Sequence, residues 1–114
     1  MFDSGFERHE FACSCGCGFD TVDIETLWVL EELKRWFRTK VTITSGCRCR
    51  KWNASVGGKK GSYHVLARAA DIIVVGFDAF LVYEYLDKMY PDKYGIGKYT
   101  TFTHFDTRSG RARW

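Results

Sequence analysis

The chain has 114 residues, 46% of them apolar and 17% aromatic, enough for one packed domain and too few for a second core. Seventeen basic against fourteen acidic side chains leave a charge of +3, too mild to argue for nucleic acid or a membrane surface, although the end RSGRARW concentrates positive charge. No run reaches the roughly eighteen apolar residues of a membrane span, and the opening MFDSGFERHEFACSCGCGF has acids where a secretion signal has a basic start and an apolar centre, so folding in a cytoplasm is expected.

Residues 1–19, rich in glycine and cysteine, read as an irregular lead-in. From Thr21 to Arg38 the apolar Ile24, Leu27, Leu30, Leu33 and Phe37 recur at three- and four-residue steps, which predicts an amphipathic helix capped by Asp20 or Thr21. VTITS, residues 41–45, is β-branched and alternating, hence a strand. KWNASVGGKKGS reads as a loop with room for one helical turn. Ala69 to Val75 is apolar on both faces, as a central strand requires. Asp78 then caps a second helix that runs to Met89 and is stopped by Pro91. GIGKYT and FTHFDT complete the pattern as two tightly joined strands. This order predicts a single α+β domain over residues 1–114, with a small, mainly antiparallel sheet and flanking helices.

Five cysteines, Cys13, Cys15, Cys17, Cys47 and Cys49, cannot all pair within one chain, and a cytoplasmic protein keeps them as thiols. CSCGC lacks the C-x-x-C step of common zinc ribbons. Three outcomes stay open: a second metal site, one or two bridges, or free thiols packing as small apolar groups. His9 has no evident partner and reads as exposed.

His64 and Asp71 stand at the entry to an apolar strand, where an unpaired carboxylate is costly and calls for a cation or a metal. On one helix their seven-residue step leaves them about 10 Å apart along the axis, and on one straight strand it puts them on opposite faces. A shared ion therefore demands a reversal near Ala67 and Arg68 that brings the two side by side on neighbouring strands. His104 and Asp106, two apart on a strand, point to one side. Two histidines and one carboxylate would leave a fourth tetrahedral position open, the arrangement of catalytic rather than structural zinc. Taken singly, each residue has an ordinary role as well: His64 in a loop, Asp71 paired with Arg68 or Arg48, Asp106 paired with Arg108.

In order and spacing, SGCR, N, VGG, SYH, AAD and HFD resemble the zinc D-Ala-D-Ala carboxypeptidase family, in its small phage and bacterial cell-wall form. Ser62, His64, Ala69, Asp71, His104, Asp106, Arg108 and Trp114 match its signature, and the likeness covers nearly the whole chain. The resemblance implies a hedgehog-like or D-Ala-D-Ala-peptidase-like sheet carrying a zinc ion on His64, Asp71 and His104. By the same resemblance Arg48 grips the substrate beside the metal, and Ser62 holds a substrate oxygen or stabilises its own turn. Two positions depart from the pattern. The family glycine three residues after the first histidine is Ala67, whose methyl costs about 1 kcal/mol if the backbone there is left-handed. Several relatives carry a carboxylate base three residues before the last histidine, where this chain has Thr101, which leaves Asp106 as the base or as a group that orients His104 and pairs with Arg108.

The function this resemblance implies is that of a monomeric zinc metallopeptidase, expected to be without a signal peptide, acting on peptidoglycan stem peptides in the cell wall, as a phage lysis or virion-associated enzyme does. The alternative is a module on the same fold that binds wall peptides or a protein with little or no turnover. Nucleic-acid binding through Lys59, Lys60, Arg111 and Arg113 is the weakest reading, because it leaves the metal-ligand set unexplained.

Overall fold

The computed structural model describes residues 5–114, so the first four residues of the expected lead-in lie outside it. A short 3-10 helix, Arg8–Phe11, precedes α1 (Ile24–Phe37), β1 (Val41–Ser45), α2 (Arg50–Ser55), β2 (Ala69–Val74), α3 (Ala79–Met89), β3 (Tyr94–Lys98), β4 (Thr103–Asp106) and β5 (Arg111–Arg113). The five strands form one sheet in the order β1-β2-β4-β3-β5, antiparallel except where β5 runs parallel to β3. The architecture is α+β, as the element order predicts, and β2 is indeed an inner strand.

The helix starts differ from expectation at one end only. α1 is capped by Asp23, whose side chain accepts from the Thr26 amide at 3.2 Å, rather than by Asp20 or Thr21. The Asp23 amide itself donates to the Ala67 carbonyl at 2.7 Å, which anchors the start of α1 to the turn below the site. Asp78 caps α3 as predicted, accepting from the Phe80 amide at 2.7 Å. α2 is the single helical turn for which the loop had room.

Strand alternation sorts the sheet into two unlike faces. Ala70, Ile72 and Val74 of β2, Phe105 of β4 and Ile96 of β3 join Leu27, Leu30 and Leu33 of α1 and Val82 and Leu86 of α3 in the apolar core. The intervening positions, Asp71, His104 and Asp106, face the other way and are buried too. On β3 the same parity falls on Gly95 and Gly97. A Cβ on Gly95 would lie 2.4 Å from the Asp106 carboxylate, and one on Gly97 would lie 2.5 Å from the Trp114 indole. The GIG run is thus a flat floor on which the side chains of neighbouring strands rest.

β5 was not legible as a strand, because its Arg111, Ala112 and Arg113 have no alternating apolar face. It is held instead by Arg113, whose Nε meets Asp87 at 2.7 Å and whose remaining nitrogens donate to the Tyr90 and Tyr94 carbonyls at 2.6 and 2.7 Å. Part of the C-terminal positive charge is therefore spent on clamping the strand to the end of α3.

Candidate metal centre

β2 and β4 are paired so that Asp71 stands opposite His104. Nδ1 of His104 lies 2.9 Å from Oδ1 of Asp71, and Nε2 of His64 reaches the same oxygen at 3.3 Å. The two imidazoles converge edge to face, with centroids 5.2 Å apart. The donor atoms of His64, Asp71 and His104 all lie within 4.8 Å of one another.

His64 reaches this point from a series of turns, not from a strand, which corrects the expected placement on neighbouring strands. The reversal does occur at Ala67, whose φ is 58°, the left-handed conformation in which glycine is at ease and alanine is strained. The loop is pinned by the Arg48 amide, which donates to the His64 carbonyl at 2.9 Å, and by the Ser62 hydroxyl, which accepts from the His64 amide at 3.2 Å.

The orientation of His64 is set from behind. Its Nδ1 lies 2.6 Å from the Gly46 carbonyl, which can only accept, so Nδ1 carries the proton and Nε2 presents a lone pair. That Nε2 is buried and has no hydrogen-bond partner, while a carboxylate oxygen faces it. Lone pair against lone pair in a buried site is repulsive as it stands, and a cation between them removes the conflict. Gly46 is required here as well, because a Cβ on it would lie 2.5 Å from the Phe11 carbonyl oxygen.

His104 has a carboxylate at each nitrogen: Asp71 at Nδ1 and, at 2.7 Å from Nε2, Asp106. Burial disfavours its charge, but hydrogen bonds to Asp106 and Asp71 outweigh this and raise its pKa above the ordinary value. Asp71 is likewise buried, yet its hydrogen bond with His104 holds it down at about 2. Asp106 is fully buried; despite that, Arg108 and His104 keep it well below the usual carboxylate range. Its oxygens accept from the Arg108 amide at 3.1 Å, from Nε at 2.8 Å and from Nη2 at 2.7 Å.

A model of the peptidase M15 family matches residues 4–106. The chain belongs to that family. No curated protein and no solved structure gave a match. As a metallopeptidase-type domain, it brings its three candidate ligands together on the polar face of the sheet, and the orphaned Nε2 of His64 shows that these residues fit a bound cation.

The site opens into a cleft of about 620 Å³ whose walls include Arg48, Lys59, Ser62, Tyr63, Phe102, Arg108 and Trp114. Arg48 is locked by Ser45 Oγ at Nε (3.1 Å) and Asn53 Oδ1 at Nη1 (3.1 Å), and its Nη2 points to Asp71 Oδ2 at 3.4 Å. The Arg108 guanidinium lies between the Tyr63 and Trp114 rings, at 4.7 and 5.0 Å from their centroids. Thr101 is exposed, and among the described residues the M15 cleft has no carboxylate on its wall except the candidate ligand Asp71. A larger groove of about 740 Å³ between α1 and α3, lined by Trp36, Phe37, Leu81 and Tyr85, contains none of the candidate residues.

Two contributors escaped the sequence reading. Asn53, buried, holds Arg48 with its oxygen and the Lys59 carbonyl with its nitrogen at 2.8 Å; it appeared only as an isolated N in the family pattern. The Gly46 carbonyl left no signal at all, since a backbone acceptor has no residue type. His9 is exposed, as expected.

Proposed function

We propose that this M15 domain is a zinc-dependent peptidase of peptidoglycan stem peptides, cutting beside a D-alanine in the cell wall. The observation that carries the reading is the convergence of His64, Asp71 and His104 around a buried, partnerless imidazole nitrogen. Nε2 of His64, the Asp71 carboxylate and Nδ1 of His104 would hold the ion. When bound, zinc supplies Lewis acidity to polarise a peptide carbonyl and to make water a nucleophile near neutral pH.

The rest falls to the chain. Asp106 accepts from Nε2 and so keeps a proton on that nitrogen of His104, which leaves Nδ1, facing Asp71, as the nitrogen that would give up its proton to the ion. Arg48, fixed on two sides, presents a guanidinium to the carbonyl oxygen or terminal carboxylate of a peptide, and Lys59 and Arg108 add positive charge to the same wall. Ser62 keeps its hydroxyl proton free to donate to a substrate oxygen while its lone pair serves the turn. Tyr63, Phe102 and Trp114 supply apolar walls that hold the peptide and shed water.

Of the two roles open to Asp106, burial and full engagement with Arg108 and His104 favour orientation over proton abstraction from water. A general base contributes about 10²–10⁴-fold to rate, so a cleft without one is expected to turn over slowly. That same observation supports the second reading, a domain that binds wall peptides with little or no cleavage. Digestion of purified cell walls and of a D-Ala-D-Ala-terminated peptide by the zinc-loaded protein separates the two. Cleavage lost in Asp71→Ala supports the peptidase; saturable affinity with no product supports the binding module; neither activity removes both.

A further inference from the structure

The three cysteines of the lead-in and the one after Arg48 have no part in the site described above. The fold nevertheless brings them together: Sγ of Cys13, Cys15, Cys17 and Cys49 all lie within 4.8 Å of one another. Cys13 to Cys15 is 3.5 Å, Cys13 to Cys49 is 3.8 Å and Cys15 to Cys49 is 3.6 Å. Cys47 stands apart, its thiol donating to the Phe11 and Phe19 carbonyls at 3.1 Å each.

We infer that Cys13, Cys15, Cys17 and Cys49 form a second, structural metal site, a tetrathiolate for one zinc-class ion, which fastens the lead-in to the loop that carries Arg48. Zinc binds thiolates at about 2.3 Å, and the edge of a tetrahedron with that radius is about 3.8 Å. The three measured edges are nearly equal and close to this length. A disulfide would instead collapse one of them to about 2.05 Å and leave the other sulfurs aside. An all-sulfur donor set selects a soft or borderline ion over magnesium or calcium, and four protein ligands close the site to substrate, as in structural rather than catalytic zinc.

The surroundings fit thiolates. The Cys49 amide donates to Cys13 Sγ at 3.4 Å, and the Trp52 amide donates to Cys49 Sγ at 3.3 Å, the outer hydrogen bonds that settle charge on a metal-bound sulfur. The lead-in loop is closed on itself by the Cys13 amide bonding the Phe19 carbonyl at 2.7 Å, which leaves the sulfurs gathered on one side. Cys49 follows Arg48 directly, so an ion here would fix the backbone from which the guanidinium reaches Asp71.

Metal content of protein purified under reducing conditions tests this, with Asp71→Ala and the double variant Cys15→Ser/Cys17→Ser, whose sites of change are exposed. Two zinc ions per chain are expected in the parent, and one in each variant. Cobalt-substituted Asp71→Ala should keep an intense thiolate-to-cobalt charge-transfer band that the cysteine variant lacks. A parent that holds one ion only, retained in Asp71→Ala with that band, upholds the cysteine site and removes the histidine site. An Asp71→Ala protein without metal, or with Cys13 or Cys49 in a disulfide under the same conditions, overturns the inference and leaves the histidine site untouched.

Discussion

Asp106→Asn separates orientation from acid-base chemistry. Asparagine keeps the volume but offers one acceptor oxygen where the carboxylate offers two, and those two meet three Arg108 donors and the His104 Nε2. An amide nitrogen must then oppose a donor on one side. If it opposes Nε2, His104 shifts its proton to Nδ1, the nitrogen needed for the ion. Loss of such a supporting bond costs about 10–100-fold in metal affinity, or about 1.4–2.7 kcal/mol. Breaking a buried ion pair costs about 3–5 kcal/mol, and the low end applies because the Arg108 side chain is 29% exposed and water screens it. A 114-residue chain has roughly 6–17 kcal/mol of stability, so the variant stays folded. Zinc affinity measured by chelator competition should weaken by that factor, while turnover at saturating zinc falls much less. Unchanged zinc affinity with a 10²–10⁴-fold collapse of kcat would refute the orienting role and make Asp106 the base.

Zinc affinity should rise with pH. The raised pKa of His104 stabilises the metal-free fold below about pH 6.5, and this contribution is lost as pH climbs through the folded-state value. An ion must displace that proton, so zinc titrations across this window should show tighter binding as the metal-free melting temperature falls; flat affinity would contradict a proton held between His104 Nδ1 and Asp71. At the acid end, Asp71, lowered to about 2, contributes stability above about pH 4 that disappears as pH falls toward 2, visible in acid unfolding of the metal-free protein. Ala67→Gly should stabilise the chain by up to about 1 kcal/mol, because φ at this position is 58°, and thermal melts should move up by a few degrees; no gain would mean that the loop relaxes around the alanine. Gly97→Ala should cost about 1–3 kcal/mol and displace Trp114 from the cleft wall, read as a change in its fluorescence and weaker peptide binding.

Much of this was legible in the chain because its signals were periodic or chemical. The β-branched β1 and the Asp78 cap appear as residue types at fixed steps and hold in the structure, and so does the α1 face at Leu27, Leu30 and Leu33, whereas Ile24 in the first turn is exposed and Val29 is buried beside them. If His64 and Asp71 share an ion, their seven-residue step requires a reversal near Ala67 and Arg68; the structure makes that reversal at Ala67, though it brings His64 in from a turn and not from a neighbouring strand. What escaped was carried by backbone or by polar contact. β5 is held by arginine bonds, Asn53 acts through Arg48, and the Gly46 carbonyl that sets the His64 tautomer is common to every residue type. The cap lies at Asp23, and not at Asp20 or Thr21, where an extended backbone sets the carboxylate to accept from the Thr26 amide; the long-range bond from the Asp23 amide to the Ala67 carbonyl, invisible in local sequence, anchors the same residue.

Diffraction at the zinc absorption edge from crystals of the zinc-loaded protein asks most directly whether His64, Asp71 and His104 hold an ion. The anomalous map should place a peak about 2.0–2.2 Å from His64 Nε2, an Asp71 oxygen and His104 Nδ1. An empty map at that point, with Asp71 closed onto Arg48 and the two imidazoles turned apart, would contradict the metal centre and the hydrolysis built on it.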